Sequence, residues 1–168
     1  MAKWLNADGG QITLFDAKFT SDNFGKSLET LGYKDLIKEG KLEVKANLSD
    51  KKITFHDPCY LGRGNGIFDE PRDLIKLLGV EVLEMERSKR TSFCCGAGGA
   101  QMFKEAEKGN KEINIERTED ALETSSQFIA TGCPFCNTMM TDGVKNKEQE
   151  NKIHVKDIAE LISKAEDL

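Results

Sequence analysis

The chain has 168 residues, the size of one domain with a single sizeable core. Its net charge of -5, without a long basic run, argues against a nucleic-acid-binding surface. It has no apolar run of roughly 18 residues, as a membrane span requires, and residues 1–4 lead into polar sequence rather than a signal peptide. We therefore expect a cytoplasmic protein, in which clustered cysteines serve metal binding or catalysis more often than disulfides.

The first part of the chain has the weakest patterns. Residues 12–15 are a candidate strand, and residues 20–23 have the composition of a mobile linker. Residues 28–42 show a loose helical pattern of apolar residues that ends near Gly40. We therefore expect an atypical, flexible segment at residues 1–27 and one domain at residues 28–168.

From Lys52 onward, strand patterns alternate with helix patterns. Short β-branched and aromatic runs predict strands at residues 53–55, 80–85, 128–131 and 153–155. Helical spacing of apolar residues predicts helices over 69–78, 100–108 and 113–122, one from Pro134, and a last one over 158–162. This alternation predicts an α/β fold, with a mostly parallel four-stranded sheet and helices on its faces.

The chemistry of this sequence lies in its five cysteines, which all fall into short motifs with the spacing Cys-x34-Cys-Cys-Gly-x36-Cys-x2-Cys. Cys59 and Cys133 follow the carboxyl ends of predicted strands, and the Cys94–Cys95 pair comes a short charged loop after another strand. Ligands bind at that edge in open α/β sheets. We therefore expect the cysteine loops to converge at the C-terminal edge of the strands.

Thiolates are ligands for iron–sulfur clusters, zinc and cuprous copper. Four cysteines satisfy a tetrahedral zinc ion or an ordinary cubane cluster, so five indicate an unusual cluster or four ligands plus a reactive thiol. Two further readings stay open: a zinc-binding structural or interaction module, and a metal-free redox dithiol at Cys133 and Cys136. The position of these two cysteines at a helix start predicts lowered thiol pKa values.

Several other residues lie near the cysteines or in conspicuous runs. His56 ends a strand beside Cys59, where it either donates to a cluster sulfur, transfers protons, or ties down a turn. Arg63 either offsets the charge of an anionic cluster or is an ordinary surface arginine. We assign structural roles to His154, to the core candidates Met102, Met139 and Met140, and to the acidic run at residues 116–123, which is predicted to be a solvated helix face.

Three segments together resemble the cysteine-rich CCG domain. They are residues 57–63 (DPCYLGR), 94–99 (CCGAGG) and 133–136 (CPFC). That domain occurs in the cysteine-rich subunit of heterodisulfide reductase and in iron–sulfur subunits of glycolate, lactate and glycerol-3-phosphate oxidoreductases. The resemblance is strongest to the C-terminal half of bacterial two-CCG iron–sulfur oxidoreductases, and it covers roughly residues 36–165.

The resemblance implies a site and a cofactor. In the heterodisulfide reductase branch, the five cysteines of one CCG motif bind a noncubane 4Fe–4S cluster. Carried over to this sequence, the ligands are Cys59, Cys94, Cys95, Cys133 and Cys136. Some family members bind zinc or a different cluster through the same motif, so the resemblance does not fix the metal.

The resemblance also implies a role in electron transfer, with other redox subunits or domains as partners. These are a flavoprotein dehydrogenase and a second CCG or ferredoxin-like domain, and any association with a membrane is through a partner. Full-length relatives usually carry two CCG motifs, whereas this chain has one and lacks ferredoxin cysteines. We therefore expect one redox centre of a larger oxidoreductase, without turnover alone.

Overall fold

The computed structural model describes residues 3–5, 11–13, 48–105 and 108–163. Strands β1 (Lys3–Leu5) and β2 (Gln11–Thr13) form an antiparallel pair, and β2 overlaps the strand expected at residues 12–15. The expected linker at residues 20–23 and the expected helix at residues 28–42 lie outside the described residues.

The main sheet has four strands in the order β4-β3-β5-β6, and every pairing is parallel. The strands are β3 (Lys52–Phe55), β4 (Glu81–Leu83), β5 (Phe128–Thr131) and β6 (His154–Asp157). All four residues of β5 are buried, as expected for an inner strand that is covered on both faces. The predicted α/β architecture is confirmed.

Helices cover both faces of this sheet. They are α1 (Asp69–Lys76), α2 (Ile113–Glu123), α3 (Pro134–Asn146) and α4 (Ile158–Ser163). Alternate residues of β5 point to different cores: Phe128 and Ala130 pack with residues of α1 and α4, and Ile129 with residues of α2 and α3. Within the described ranges, no helix combines the length and the apolar character that crossing a membrane requires.

The helix predicted over residues 100–108 is wrong for the described residues. Only a 3-10 turn forms there, Gln101–Phe103, and Lys104 is already extended. Ala100 has a left-handed backbone with φ of 61°, and Phe103 is 76% exposed. The apolar residues of this segment therefore lack a surface to pack on. Met102 is only partly buried, as is Met139, whereas Met140 lies in the core as predicted.

Helices α2 and α3 cross at short range through Gly143. A Cβ atom at this position would lie 2.0 Å from Thr118 Oγ1 and 3.0 Å from the Asn114 carbonyl oxygen. Only a glycine allows this approach. The crossing brings the inner face of α2 close to α3, and α3 carries a cysteine in its first turn.

Candidate metal centre

Three neighbouring strands lead into the three cysteine loops. Cys59 follows β3, Cys133 follows β5, and the Cys94–Cys95 pair follows β4 after a longer connection. Because these strands are parallel and adjacent, their carboxyl ends meet at one edge of the sheet. That edge is the place predicted for the cysteine loops.

The structure brings the thiols together in a chain of contacts. Cys95 Sγ and Cys136 Sγ are 3.4 Å apart, and both residues are buried. Cys94 is hydrogen-bonded to Cys95, and Cys133 to Cys136. Cys59 is exposed, shares a cleft with Cys94 and Cys95, and interacts electrostatically with Cys94. All five cysteines are free thiols.

These contacts separate the thiols into donors and acceptors. Hydrogen bonds from Cys136 and Cys94 lower the pKa of Cys95, while the pKa values of Cys94 and Cys136 are raised, first by their hydrogen bonds to neighbouring thiols and also by burial. The pKa of Cys133 is lowered to about 7 by the Cys136 thiol and by backbone N–H groups at the start of α3. The lowered pKa predicted for helix-start cysteines therefore holds for Cys133 and is wrong for Cys136.

The double-cysteine loop depends on Gly96. Its φ of 89° lies in the left-handed region, and an added Cβ atom would meet Ile113 Cβ at 3.2 Å. In this conformation the Gly96 N–H donates to Cys94 Sγ over 3.3 Å. A glycine is thus required where the backbone turns onto the thiol.

Ser92, two residues before the cysteine pair, is held from two sides. Arg63 Nη2 donates to the Ser92 carbonyl oxygen at 2.6 Å, and Arg117 Nη2 donates to its hydroxyl at 3.3 Å. Arg63 also lines the cleft that contains Cys59. The suggestion that Arg63 offsets the charge of a cluster stays a prediction, and the structure adds a positioning contact.

Asp57 organises the same edge from below. Its carboxylate accepts two hydrogen bonds from Arg72, at 2.7 and 2.9 Å, and one from the Lys89 backbone N–H at 2.8 Å. Arg72 also donates to Glu84 at 2.8 Å. This buried ion pair joins the end of β3, helix α1 and the loop that leads to the double cysteine.

His56 lies beneath the thiols and is only 1% exposed. Its Nδ1 accepts a hydrogen bond from Arg117 Nε at 3.0 Å, and its imidazole is also hydrogen-bonded to Cys95. Burial lowers the pKa of His56, against the opposing effect of Cys95. The ligating atoms of His56, Cys95 and Cys136 lie within 4.8 Å of one another. His154, by contrast, is exposed on β6, with its ring 5.8 Å from that of Phe128.

Arg117 is the residue of this site that sequence reasoning missed. It is fully buried although it stands in the acidic run at residues 116–123, which was predicted to be a solvated face. That prediction is wrong for Asp120, which pairs with Arg117 at 3.0 Å and with Arg87 at 2.9 Å. A signal was present: Arg117 shares its helical stripe with the other buried positions of α2, namely Asn114, Thr118 and Ala121.

The cleft above these residues fits a thiolate-bound group. Its walls are formed by residues of the Cys59 loop and of the double-cysteine loop: His56, Asp57, Pro58, Cys59, Gly62, Arg63, Lys89, Ser92, Phe93, Cys94 and Cys95. Soft sulfur donors suit iron–sulfur clusters and zinc, and the cationic side chains of Arg63 and Lys89 suit an anionic group. The donor set therefore fits a cluster.

Comparison with known proteins points to the same part of the chain. A family model described as the cysteine-rich domain CCG matches residues 53–141. Among curated proteins, the probable iron–sulfur-binding oxidoreductase FadF of Bacillus subtilis is 48% identical over 132 residues, which cover 78% of this chain and 18% of that protein. The EtfAB:quinone oxidoreductase of Syntrophomonas wolfei is 45% identical over 136 residues, or 77% of this chain and 19% of that protein.

A third relative comes from an archaeon. It belongs to the dihydromethanophenazine:CoB–CoM heterodisulfide reductase of Methanosarcina barkeri, and one polypeptide of that enzyme is 38% identical over 136 residues, 78% of this chain and 31% of the polypeptide. The chain thus spans between about a fifth and a third of the length of these relatives. The sequence resemblance to CCG proteins is confirmed.

Proposed function

Since the chain belongs to the CCG cysteine-rich domain family, we propose that it is an iron–sulfur electron-transfer domain of a larger oxidoreductase. Five thiols, those of Cys59, Cys94, Cys95, Cys133 and Cys136, hold one 4Fe–4S cluster of the noncubane type. Such a cluster supplies one-electron chemistry when bound, with a potential set by hydrogen bonds, charge and solvent exposure.

The observation that carries this proposal is the convergence of free thiols from three loops of one parallel sheet. The central pair, Cys95 and Cys136, is 3.4 Å apart, buried and not joined by a disulfide. Buried thiols that approach each other in this way, with more thiols around them, form a soft-metal donor set rather than ordinary core packing. Names of relatives that include iron–sulfur binding support the choice of cofactor.

The residues around the thiols divide the remaining tasks. Gly96 and His56 supply hydrogen bonds to sulfur, and Arg63 and Lys89 supply positive charge at the cleft. Cys59 is the exposed thiol and so marks the side on which a redox partner approaches the centre most closely. This arrangement buries one side of the centre and leaves the other open for electron exchange.

The partners that we propose follow from the relatives. One relative is named for electron transfer between EtfAB and quinone and another for heterodisulfide reduction. We therefore propose a flavoprotein as the donor and a quinone or disulfide site of the same assembly as the acceptor. The domain would work on the cytoplasmic side, with membrane association only through a partner.

The test is anaerobic reconstitution of the chain with iron and sulfide, followed by metal and sulfide analysis and electron paramagnetic resonance. We expect about four iron and four sulfide ions per chain, lost in Cys94→Ser and Cys95→Ser. Thr138→Ala, at an exposed position of α3 two residues after Cys136, is the matched control and should keep the full load. A wild-type chain that takes up no iron would overturn the proposal.

One observation favours a second candidate, a zinc-stabilised interaction module. The His56, Cys95 and Cys136 ligand atoms lie within 4.8 Å of one another, a cluster that a single metal ion spans. Colour separates the two candidates, because an iron–sulfur protein purified without oxygen is brown and a zinc protein is colourless. One zinc ion per chain without iron uptake would establish the second candidate. A chain without metal would point to the dithiol, whose activity Cys133→Ser abolishes.

A further inference from the structure

We propose that Arg117 is a positioning residue that fixes the proton of His56 on Nε2, so that His56 donates an N–H to the Cys95 sulfur and is not a metal ligand. The inference deepens the proposed function, on which it rests for the role of Cys95 as a cluster ligand. Its first step, the position of the proton, is a property of the chain itself.

The first step follows from the contact between Arg117 and His56. A guanidinium group has only N–H donors and no acceptor. Arg117 Nε lies 3.0 Å from His56 Nδ1, so Nδ1 must offer a lone pair. A neutral imidazole with an acceptor at Nδ1 carries its proton on Nε2, and this tautomer is assigned from the hydrogen-bond partners.

The second step concerns Cys95. With Nδ1 occupied by Arg117, the nitrogen left for the hydrogen bond with Cys95 is Nε2. A ring nitrogen that carries a proton has no lone pair for a metal ion. Histidines that ligate metals usually donate an N–H from their other nitrogen to an acceptor. In this chain the other nitrogen faces a donor, so the surroundings of His56 are the reverse of those of a metal ligand.

The third step is that Arg117 cannot turn away. Its side chain is fully buried, and besides His56 it donates to the Arg87 carbonyl oxygen at 2.6 Å, to Asp120 at 3.0 Å and to the Ser92 hydroxyl at 3.3 Å. Two of these partners, Arg87 and Ser92, belong to the loop that carries the double cysteine. The same side chain therefore holds both the loop and the tautomer.

The functional consequence is a bond that tunes the centre. A hydrogen bond to a ligand thiolate withdraws negative charge from sulfur and stabilises the reduced, more negative cluster. Removal of the N–H should lower the reduction potential without changing the number of iron ions bound. Replacement of a true ligand would instead lower the iron content.

Nuclear magnetic resonance of the reduced, metal-free chain tests the tautomer. The chain has only two histidines, so nitrogen-15 signals of His56 and of the exposed His154 can be assigned by substitution of each. We expect His56 to show an unprotonated Nδ1 and a protonated Nε2, and Arg117→Met to give a mixture of tautomers. His154 should not respond. A proton on His56 Nδ1 in the wild type would overturn the proposal.

Two substitutions of His56 test its action on the centre. The amide nitrogen of His56→Gln can take the place of Nε2, whereas His56→Leu removes every donor. In the reconstituted protein we expect full iron and sulfide content in both variants, a lowered potential in His56→Leu and a nearly restored one in His56→Gln. Loss of iron in both variants, or equal potentials in all three proteins, would overturn the inference. A wild type without iron would defeat the proposed function instead, and the tautomer experiment would still decide the role of Arg117.

Discussion

Arg72 and Asp57 form a two-fold hydrogen-bonded ion pair in which the side chains are only 3% and 2% exposed. The pair lies directly below the thiols, and Asp57 also accepts the Lys89 backbone N–H. Since both charges are buried, each depends on the other for compensation. The stability of the sheet edge is therefore tied to this contact.

Arg72→Ala should lower the free energy of unfolding by roughly 3–5 kcal/mol, because it leaves the Asp57 carboxylate buried without its partner. Urea unfolding of the reduced protein measures the loss. Lys76→Ala, an exposed position on the same helix, is the control and should change little. The double variant Asp57→Asn/Arg72→Met should regain part of the loss. Equal stability of Arg72→Ala and Lys76→Ala would contradict this account.

Gly143→Ala should destabilise the chain by about 1–3 kcal/mol, although alanine is the better helix former. The added Cβ would lie 2.0 Å from Thr118 Oγ1, so α2 and α3 must move apart. Thermal unfolding of Gly143→Ala and of Gly143→Ala/Thr118→Ala separates the causes. The second variant removes the closest clash and should recover part of the stability, and a stabilised Gly143→Ala would refute the close crossing.

The sheet was predictable because its strands are short apolar runs between clear breaks. Residues 53–55 and 128–131 are β-branched or aromatic for the most part, and Gly79, Pro71 and Pro134 mark helix ends or starts. The positions of the cysteine loops followed from the strands alone, since parallel strands end at one edge.

The helix at residues 100–108 failed because periodicity cannot show whether a partner surface exists. Met102 and Phe103 have helical spacing to later residues, yet the glycine-rich turn and the left-handed Ala100 carry the chain away from the core. Arg117 was missed for a related reason. Its partner His56 lies 61 residues away, so nothing local distinguishes it from a solvated charge.

Gly96→Ala should impair assembly of the centre while the sheet stays folded. The substitution forces a left-handed backbone on alanine, and its Cβ meets Ile113 at 3.2 Å, so the N–H that donates to Cys94 is displaced. Iron content after reconstitution and circular dichroism are the measurements. Gly98→Ala is the matched control, because Gly98 has open space around it and no positive φ. Equal iron content in the two variants would contradict the role of Gly96.

Cys133 should be the thiol whose alkylation in the reduced, metal-free protein responds to pH near neutrality. Its pKa is lowered to about 7 from the usual 9.0, chiefly by the hydrogen bond from Cys136. Because the thiolate is the reactive form, the rate at Cys133 should rise between about pH 6 and 8 and level off above, roughly as the thiolate fraction does. Cys136→Ala removes the donor, so the pKa of Cys133 should rise and its alkylation at neutral pH should slow several-fold. Mass spectrometry of iodoacetamide-treated protein gives the site-resolved rates. An unchanged pH profile in Cys136→Ala would show that backbone N–H groups of α3, rather than the Cys136 thiol, stabilise the thiolate.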